Sequence, residues 1–280
     1  MAAPDLVTLA DVKAWIYKTP SDAATTTNDG LLANLITRAS RLVYAWLQRP
    51  AFALHTVDEV RSGTGGQSLL LGEWPVVSVE DVAIDDYAVP QLAWPRGMMP
   101  GWSLQPWNGM PPGCLQELAL QGYAFTRGRQ NIEIAYRAGY AVQSEPQTIA
   151  PSGTQYAVSV AQSFGPWIQD DGVAYANGAV LSRVTGTVNA GQYALDPQNP
   201  GRYLFAAADN GANLLLSYSY TPADVAQAVI EWIAERYAYM GRVGEQTKSA
   251  GGQVSVSYVV KSLPDFVAAA LAPYRRVVPV

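Results

Sequence analysis

The stretch TPADVAQAVIEWIAERYAYMG, residues 221–241, decides how the rest of the chain is read. Thr221 offers an N-cap hydroxyl, Pro222 suits the first helical position, and Asp224 puts a negative charge in the first turn. Val225, Val229, Trp232, Ile233, Tyr237 and Met240 then recur at helical spacing on one face, and Gly241 or Gly244 ends the helix. Just upstream, Leu214 to Tyr220 alternates as a strand, so the hydrophobic period changes at Thr221.

A second helical region lies at the other end of the chain. Thr8 caps a short helix bearing Leu9, Val12, Ala14, Trp15 and Ile16, which stops at Thr19-Pro20. After the polar run Ser21 to Thr27, Asn28 or Asp29 caps a longer helix from about Gly30 to Gln48, stopped by Arg49-Pro50. Its residues Leu31, Leu32, Leu35, Ile36, Leu42 and Val43 share a wide apolar face. That face suits core packing rather than a membrane surface, because the polar side is short of Lys.

Between the helical ends the pattern is that of strands. Leu54 to Arg61 and Ser68 to Leu71 flank a Gly63-Thr64-Gly65-Gly66 turn and read as a hairpin. Val76 to Ile84 is another strand. Cys114 to Leu120 and Asn131 to Tyr136 read as a second hairpin. The segment from Pro90 to Gly113, which contains WPRGMMPGWSLQPWNGMPPG, reads as an irregular loop whose Trp94, Trp102 and Trp107 are candidates for packing against a neighbour. From Gln155 to Tyr220 short strands alternate with turns such as Asn177-Gly178 and Asn210-Gly211, as in a small sandwich. The C-terminal helix is followed by a Gly/Ser/Lys loop, GEQTKSAGG, expected to be disordered in the free subunit and ordered on assembly. A strand with Val254 and Val256, a helix opened by Leu263-Pro264-Asp265 and the tail PYRRVVPV complete the chain.

These elements predict an α+β fold: a helical core made of the N-terminal helix pair and the long C-terminal helix, a β-rich middle, and an inserted all-β domain. Residues 1–145 and 221–280 would form one discontinuous core domain, with a β-sandwich-like insertion at 146–220.

Composition narrows the function. Only 15% of residues are charged, against roughly 25% in an average soluble protein, so much of the surface is neutral or covered. A net charge of -5 argues against gripping nucleic acid by neutralising phosphates. The single cysteine, Cys114, has no partner for an intramolecular disulfide, and no Cys/His group has metal-ligand spacing. No basic start precedes a long apolar run, and no apolar stretch is long enough to span a bilayer, so neither secretion nor membrane insertion is expected.

The two ends together resemble the tailed-phage head-tail connector (adaptor, or head completion) family. The stretches that carry the resemblance are TLADVKAWI, DGLLANLITRASRLVYAWLQRP and LLLGEWPVVSVEDVAID toward the N-terminus. Toward the C-terminus they are PADVAQAVIEWIAERYAYMGRVGEQ, SVSY and LPDFVAAALAPYRR. In compact members a strand ending in Gly-Tyr passes quickly into the Pro-initiated helix, whereas here IEIAYRAGY is far from TPADVAQAV. The residues between look like a small β module that recurs in phage structural proteins. The resemblance implies a non-enzymatic virion protein, without cofactor, assembled in the host cytoplasm into a homo-oligomeric ring of typically twelve copies at the head-tail interface. Its partners would be the portal protein, tail-completion or tail-tube proteins, and DNA that passes through the lumen without specific binding; no membrane is involved.

The resemblance also implies that the tail Tyr274, Arg275, Arg276, Val277, Val278, Pro279 and Val280 docks on the portal, its cations meeting acids there. Deleting residues 274–280 would then leave a folded protein that no longer joins portals. Gly244, Lys248, Gly251 and Gly252 mark the loop expected to order on assembly.

Sharper sites read less well. Gly63, Gly65 and Gly66 precede no Lys-Ser or Lys-Thr and no helix, so they make a turn rather than a phosphate loop. His55, the only histidine, has no activating motif beside it. Asp85-Asp86 and Asp170-Asp171-Gly172 lack the regular acids of a calcium loop, and Glu231 with Glu235 reads as a solvated helix face. A tail or decoration protein whose β domain binds carbohydrate or a receptor is the alternative, with Trp167, Tyr175, Tyr193 and Tyr203 as stacking candidates. A peptidoglycan hydrolase would need paired carboxylates for which the chain offers no motif.

Overall fold

A computed structural model describes residues 4–17, 19–92, 99–106, 116–153, 155–240, 247–250, 254–257 and 263–276. It corrects the fold expected from the helical ends. Of these residues 36% are in strands and 26% in helices, so the molecule is mostly β rather than a helical core with β additions. The helical periods are real, but they make one layer among three hydrophobic clusters.

The layer begins with α1 (Leu9–Ile16), whose N-terminus is closed by a capping box: Asp11 N–H donates to Thr8 Oγ1 at 3.1 Å and Thr8 N–H to the Asp11 carboxylate at 3.2 Å. α1 ends before Thr19-Pro20, as expected, but that pair also begins a new turn. Thr19 hydroxyl and Asp22 exchange hydrogen bonds, and proline at the start opens one further turn, α2 (Pro20–Ala23). Lys13, buried on α1, reaches the Asp29 carboxylate at 2.8 Å and so fixes the start of α3 (Asp29–Leu47). Leu32, Ile36, Ala39, Val43 and Leu47 face inward from α3, as their spacing requires.

Seven strands form the middle: β1 (His55–Arg61), β2 (Ser68–Leu70), β3 (Val76–Ile84), β4 (Tyr87–Ala88), β5 (Gly101–Gln105), β6 (Glu117–Gln121) and β7 (Ile132–Ala138). Neither expected hairpin forms. One sheet runs β1-β7-β3-β4 and another β2-β6-β5, so the Gly63–Gly66 turn carries the chain between sheets instead of folding it back on itself. The cause is burial: Ile132, Ile134 and Tyr136 from β7 share a cluster with Leu118 and Leu120 from β6, and a hairpin would have put all of them in one sheet. Trp102, expected to face a neighbour, lies on β5 in that cluster and is 4% exposed; Trp94 and Trp107 fall outside the described residues.

The chain continues through β8 (Ala141–Thr148), β9 (Ala150–Ser152), β10 (Gln155–Ser159), β11 (Trp167–Tyr175), β12 (Ser182–Arg183), β13 (Gln192–Leu195), β14 (Arg202–Phe205) and β15 (Asn213–Tyr220). These make a β11-β15-β8 sheet and a β12-β13-β14-β10-β9 sheet whose inner faces meet at Val158, Val173, Tyr203, Leu216 and Tyr218. β8 and β15, where this part begins and ends, are hydrogen-bonded neighbours, so the chain enters and leaves on adjacent strands.

The next helix, α4 (Ala223–Tyr239), begins later than expected. Pro222 is its N-cap with φ -51 and ψ 137, and Thr221 is fully buried without capping it. Strand β15 leaves Thr221 pointing inward. The first donor of α4 is taken instead by a neighbouring loop, Ala223 N–H donating to the Phe164 carbonyl at 3.0 Å. After α4 come β16 (Thr247–Ala250) and β17 (Val254–Ser257), paired with each other, then α5 (Asp265–Leu271). Part of the expected disordered loop is thus a strand containing Lys248, while Gly244, Gly251 and Gly252 lie outside the described residues. Among the described residues no helix is long and apolar enough to cross a membrane.

Candidate functional site

Three distant parts of the chain meet at Glu73, which is 3% exposed. The first is the end of α3. Gln48 takes the left-handed conformation, φ 56, so the chain turns sharply and carries Arg49 inward. The Arg49 guanidinium lies 4.3 Å from the Trp74 ring centroid, donates to the Trp74 carbonyl oxygen, and brings Nε within 3.5 Å of Glu73 Oε2. The second part is the segment between β2 and β3 that carries Glu73 itself, and the third is the C-terminal segment: Arg276 Nε stands 3.2 Å from Glu73 Oε1 and donates to the Gly72 carbonyl oxygen. Arg276 N–H also donates to the Leu47 carbonyl at 2.9 Å, satisfying an acceptor that the end of α3 leaves open.

The sheet beneath is wired into the same site. Tyr136 donates its hydroxyl to Glu59 Oε2 at 2.7 Å and accepts the Glu73 N–H at 3.1 Å; Gly72 N–H and Arg61 also reach Glu59. Burial pushes the Glu73 carboxyl above the usual glutamate range. The nearby Arg49, Arg276 and His55 only partly offset that effect, and Glu59 adds to it. Burial raises the Tyr136 hydroxyl likewise, so it remains a donor to Glu59. A carboxylate held between two guanidinium groups and shielded from solvent can pin chain segments together and titrate.

The residues just before Arg276 are bound to their own chain. Tyr274 is 2% exposed, packs its ring against Phe52 and Tyr140 at centroid distances of 5.9 Å and 5.8 Å, and donates to Asp224 in the first turn of α4 at 2.8 Å. Arg275 lies over Trp46, 5.5 Å from its centroid. Of the segment expected to dock on a portal, Tyr274 is therefore a core residue and Arg276 meets Glu73 of its own chain. Val277, Val278, Pro279 and Val280 lie outside the described residues.

Two open grooves flank α1. One of about 450 Å³ runs between α1, α4 and the loop before β11, lined by Trp15, Gln162, Pro166, Gln227 and Ile230. The other, about 520 Å³, lies between α1 and the loop at Pro197 to Pro200. Trp15 stands 53% exposed at the first, and Phe164 nearby is 60% exposed although its ring stacks on Tyr220.

The other residues singled out in the sequence have structural partners. Gly65 N–H and Gly66 O bond to Phe125, making the glycine turn a packing element. His55 Nδ1 faces the Ala53 carbonyl at 2.9 Å. Asp85 accepts from Thr126 and Asn131, which hold its carboxyl below the usual range. Asp170 accepts the Tyr193 hydroxyl, and Asp171 that of Ser219. Gln227 donates to Glu231 at 2.7 Å. Tyr203 and Tyr193 are buried and Trp167 and Tyr175 pack against the same cluster, so these aromatics build the core of the β module rather than a sugar platform. Among the described residues no group of three or more His, Cys, Asp or Glu is placed to hold a metal ion.

The Arg49–Glu73–Arg276 site was not legible as a site. Its one local signal is that Glu73 and Arg49 are charges set in apolar runs of a charge-poor chain. Scans against models of known protein families and against curated proteins find no match to this chain.

Proposed function

We propose that this chain is a non-enzymatic structural subunit of a tailed-phage virion, the head-to-tail connector whose copies ring the exit of the portal. The observation that carries the reading is where large apolar side chains stay exposed. Among the described residues, Trp15, Leu31, Leu42, Met240 and Phe266 of the helical layer are 38% to 53% exposed, and Val60, Tyr87, Met99, Tyr123, Phe164 and Val180 are exposed on the β parts and loops of a chain with few charges. Apolar surface left open on both the helical layer and the β parts suits a subunit that buries it against copies of itself and other virion proteins. The family resemblance supplies the kind of ring, the portal and tail-completion or tail-tube proteins as partners, and the virion as location.

The outer face of the β1-β7-β3 sheet supports a surface that DNA passes without binding. Asp58, Asp81 and Glu133 are exposed there, with Glu80 beside them and Arg137 as the cation on neighbouring rows. Such a face repels phosphate instead of holding it.

Electron microscopy and mass photometry of the purified protein, alone and mixed with portal rings, test the proposal. Rings with a central hole wide enough for duplex DNA are expected, together with co-sedimentation with the portal. A protein that stays monomeric at every concentration and ignores the portal would refute it.

A further inference from the structure

A sheet edge exposes backbone donors and acceptors that favour another strand. Most edges in this molecule are shielded. On β8, Pro146 lacks a donor and Ser144 has φ 57, which breaks the regular edge. On β5 the segment at Pro90 to Leu92 supplies hydrogen bonds to Trp102, and on β11 the residues Ala179 and Leu181 do so toward Tyr175 and Val173. The outer strands β4, β12, β9 and β2 have only two or three residues. On β3, which β4 covers only at Ala83 and Ile84, the stretch Val76 to Asp81 is broken by two bulges and its first N–H is taken by Gln116. The long regular edge is β1: seven residues, paired with β7 throughout, with β7 as its sheet neighbour.

The hairpin β16–β17 has the opposite problem. Its strands have four residues each and, among the described residues, hydrogen-bond only to each other, in an excursion between α4 and α5. A lone two-stranded hairpin of this size is marginal in water and gains most from a third strand. In its own chain the hairpin is not paired to β1. Its two strands carry one cation, Lys248, and no acid, while β1 presents the exposed Asp58 at its centre. Four strand residues span about 13 Å, well within the roughly 23 Å of a seven-residue edge.

We propose that the β16–β17 hairpin of one copy adds as a strand to the free edge of β1 in a second copy, giving the assembled ring its subunit-to-subunit contact. The inference rests on the self-assembling reading above and names the partner surface within it.

Two populations test it, both carrying Cys114→Ser and only one carrying an affinity tag. The tagged chain has Lys248→Cys; the untagged chain has Thr56→Cys, Asp58→Cys or Val60→Cys along β1, or Gln147→Cys on β8. The populations are mixed, sized by mass photometry and treated with a short bis-maleimide. The expected result is a tagged–untagged covalent dimer in the oligomeric fraction for at least one β1 position, at least tenfold above the Gln147→Cys control. Oligomers that give no β1 cross-link, or that cross-link through Gln147→Cys, overturn the strand addition and leave self-assembly standing. Monomers under all conditions overturn both.

Discussion

Replacing Tyr274 with alanine asks whether the chain's last segment is an arm or part of the core. The ring is 2% exposed between Phe52 and Tyr140, and its hydroxyl donates to both oxygens of Asp224 at 2.8 Å. Burial, together with the Asp224 carboxylate, holds that hydroxyl above the ordinary tyrosine range, so it stays a donor at any physiological pH. Removing a buried aromatic ring costs about 3–5 kcal/mol. A hydrogen bond to a charged group adds about 1.5–3 kcal/mol. Together these approach the whole stability of a typical domain, about 5–15 kcal/mol. Tyr274→Phe isolates the second effect and should cost only its share. Urea unfolding followed by near-ultraviolet circular dichroism, with the first transition analysed, gives the three midpoints. An alanine variant within about 1 kcal/mol of the parent would refute the reasoning, as would a phenylalanine variant equally damaged. The same energies change the expected outcome of deleting residues 274–280. That deletion removes Tyr274 and the Arg276–Glu73 ion pair together, so it should unfold the junction rather than leave a folded, portal-blind subunit. Deleting residues 277–280 alone is the clean probe of docking.

Further outcomes follow from other parts of the structure. Because burial raises the Glu73 carboxyl, the folded chain keeps a proton that the unfolded chain loses from about pH 4.3 upward, and stability falls as pH rises through that window. Glu73→Gln should therefore match the parent near pH 4 and exceed it at pH 7; urea midpoints that diverge in the opposite sense would reject the raised value. Gly165 has φ 150, and a Cβ there would overlap the Thr221 carbonyl, so Gly165→Ala should cost about 1–3 kcal/mol. Gly178→Ala, with φ 90 but no atom within 4 Å, should cost less, and thermal melts compare the pair. Trp15→Ser should change monomer stability by no more than about 1 kcal/mol, yet weaken self-association tenfold or more in a mass-photometry dilution series.

The local rules read from the sequence held where one element decided its own fate. Thr8 caps α1 with the reciprocal Asp11 bond, and α3 buries Leu32, Ile36 and Val43 of the stripe its spacing marks out, while Leu31 and Leu42 at the margins of that stripe stay exposed. They failed where a partner outside the element decided. Thr19-Pro20 lies beyond the end of α1, as a stop should, yet it also starts α2, because proline suits both. Thr221 looked like a cap, but the strand before it turns its side chain inward and the Phe164 carbonyl takes the waiting donor. Neighbouring strands joined by turns read as hairpins. Which strand pairs with which depends on the face each must bury, and Tyr136 and Leu118 lie in one cluster from different sheets.

The balance of helix and strand is hard to read from the sequence for a related reason. Long helices announce themselves through many periodic residues, whereas β2, β9 and β12 have two or three residues each and leave almost no periodic trace. The junction at Glu73 is more hidden still, since Arg49 and Arg276 are separated by almost the whole chain and no local pattern links them. Yet this junction joins the helical layer to the β1-β7-β3 sheet. α3 ends on it, Glu73 lies between β2 and β3 in the chain, and the C-terminal segment closes over it. A force applied to residues beyond Arg276, as portal docking would supply, acts first on the Arg276–Glu73 pair and the Leu47 carbonyl bond. Arg276→Gln keeps a backbone donor to Leu47 but removes the charge. It should therefore loosen the coupling between tail and sheet without unfolding α3, seen as faster hydrogen exchange at Gly72 and Glu73 and unchanged exchange within Leu32 to Val43. Uniform exchange in both regions would show that the charge does not link them.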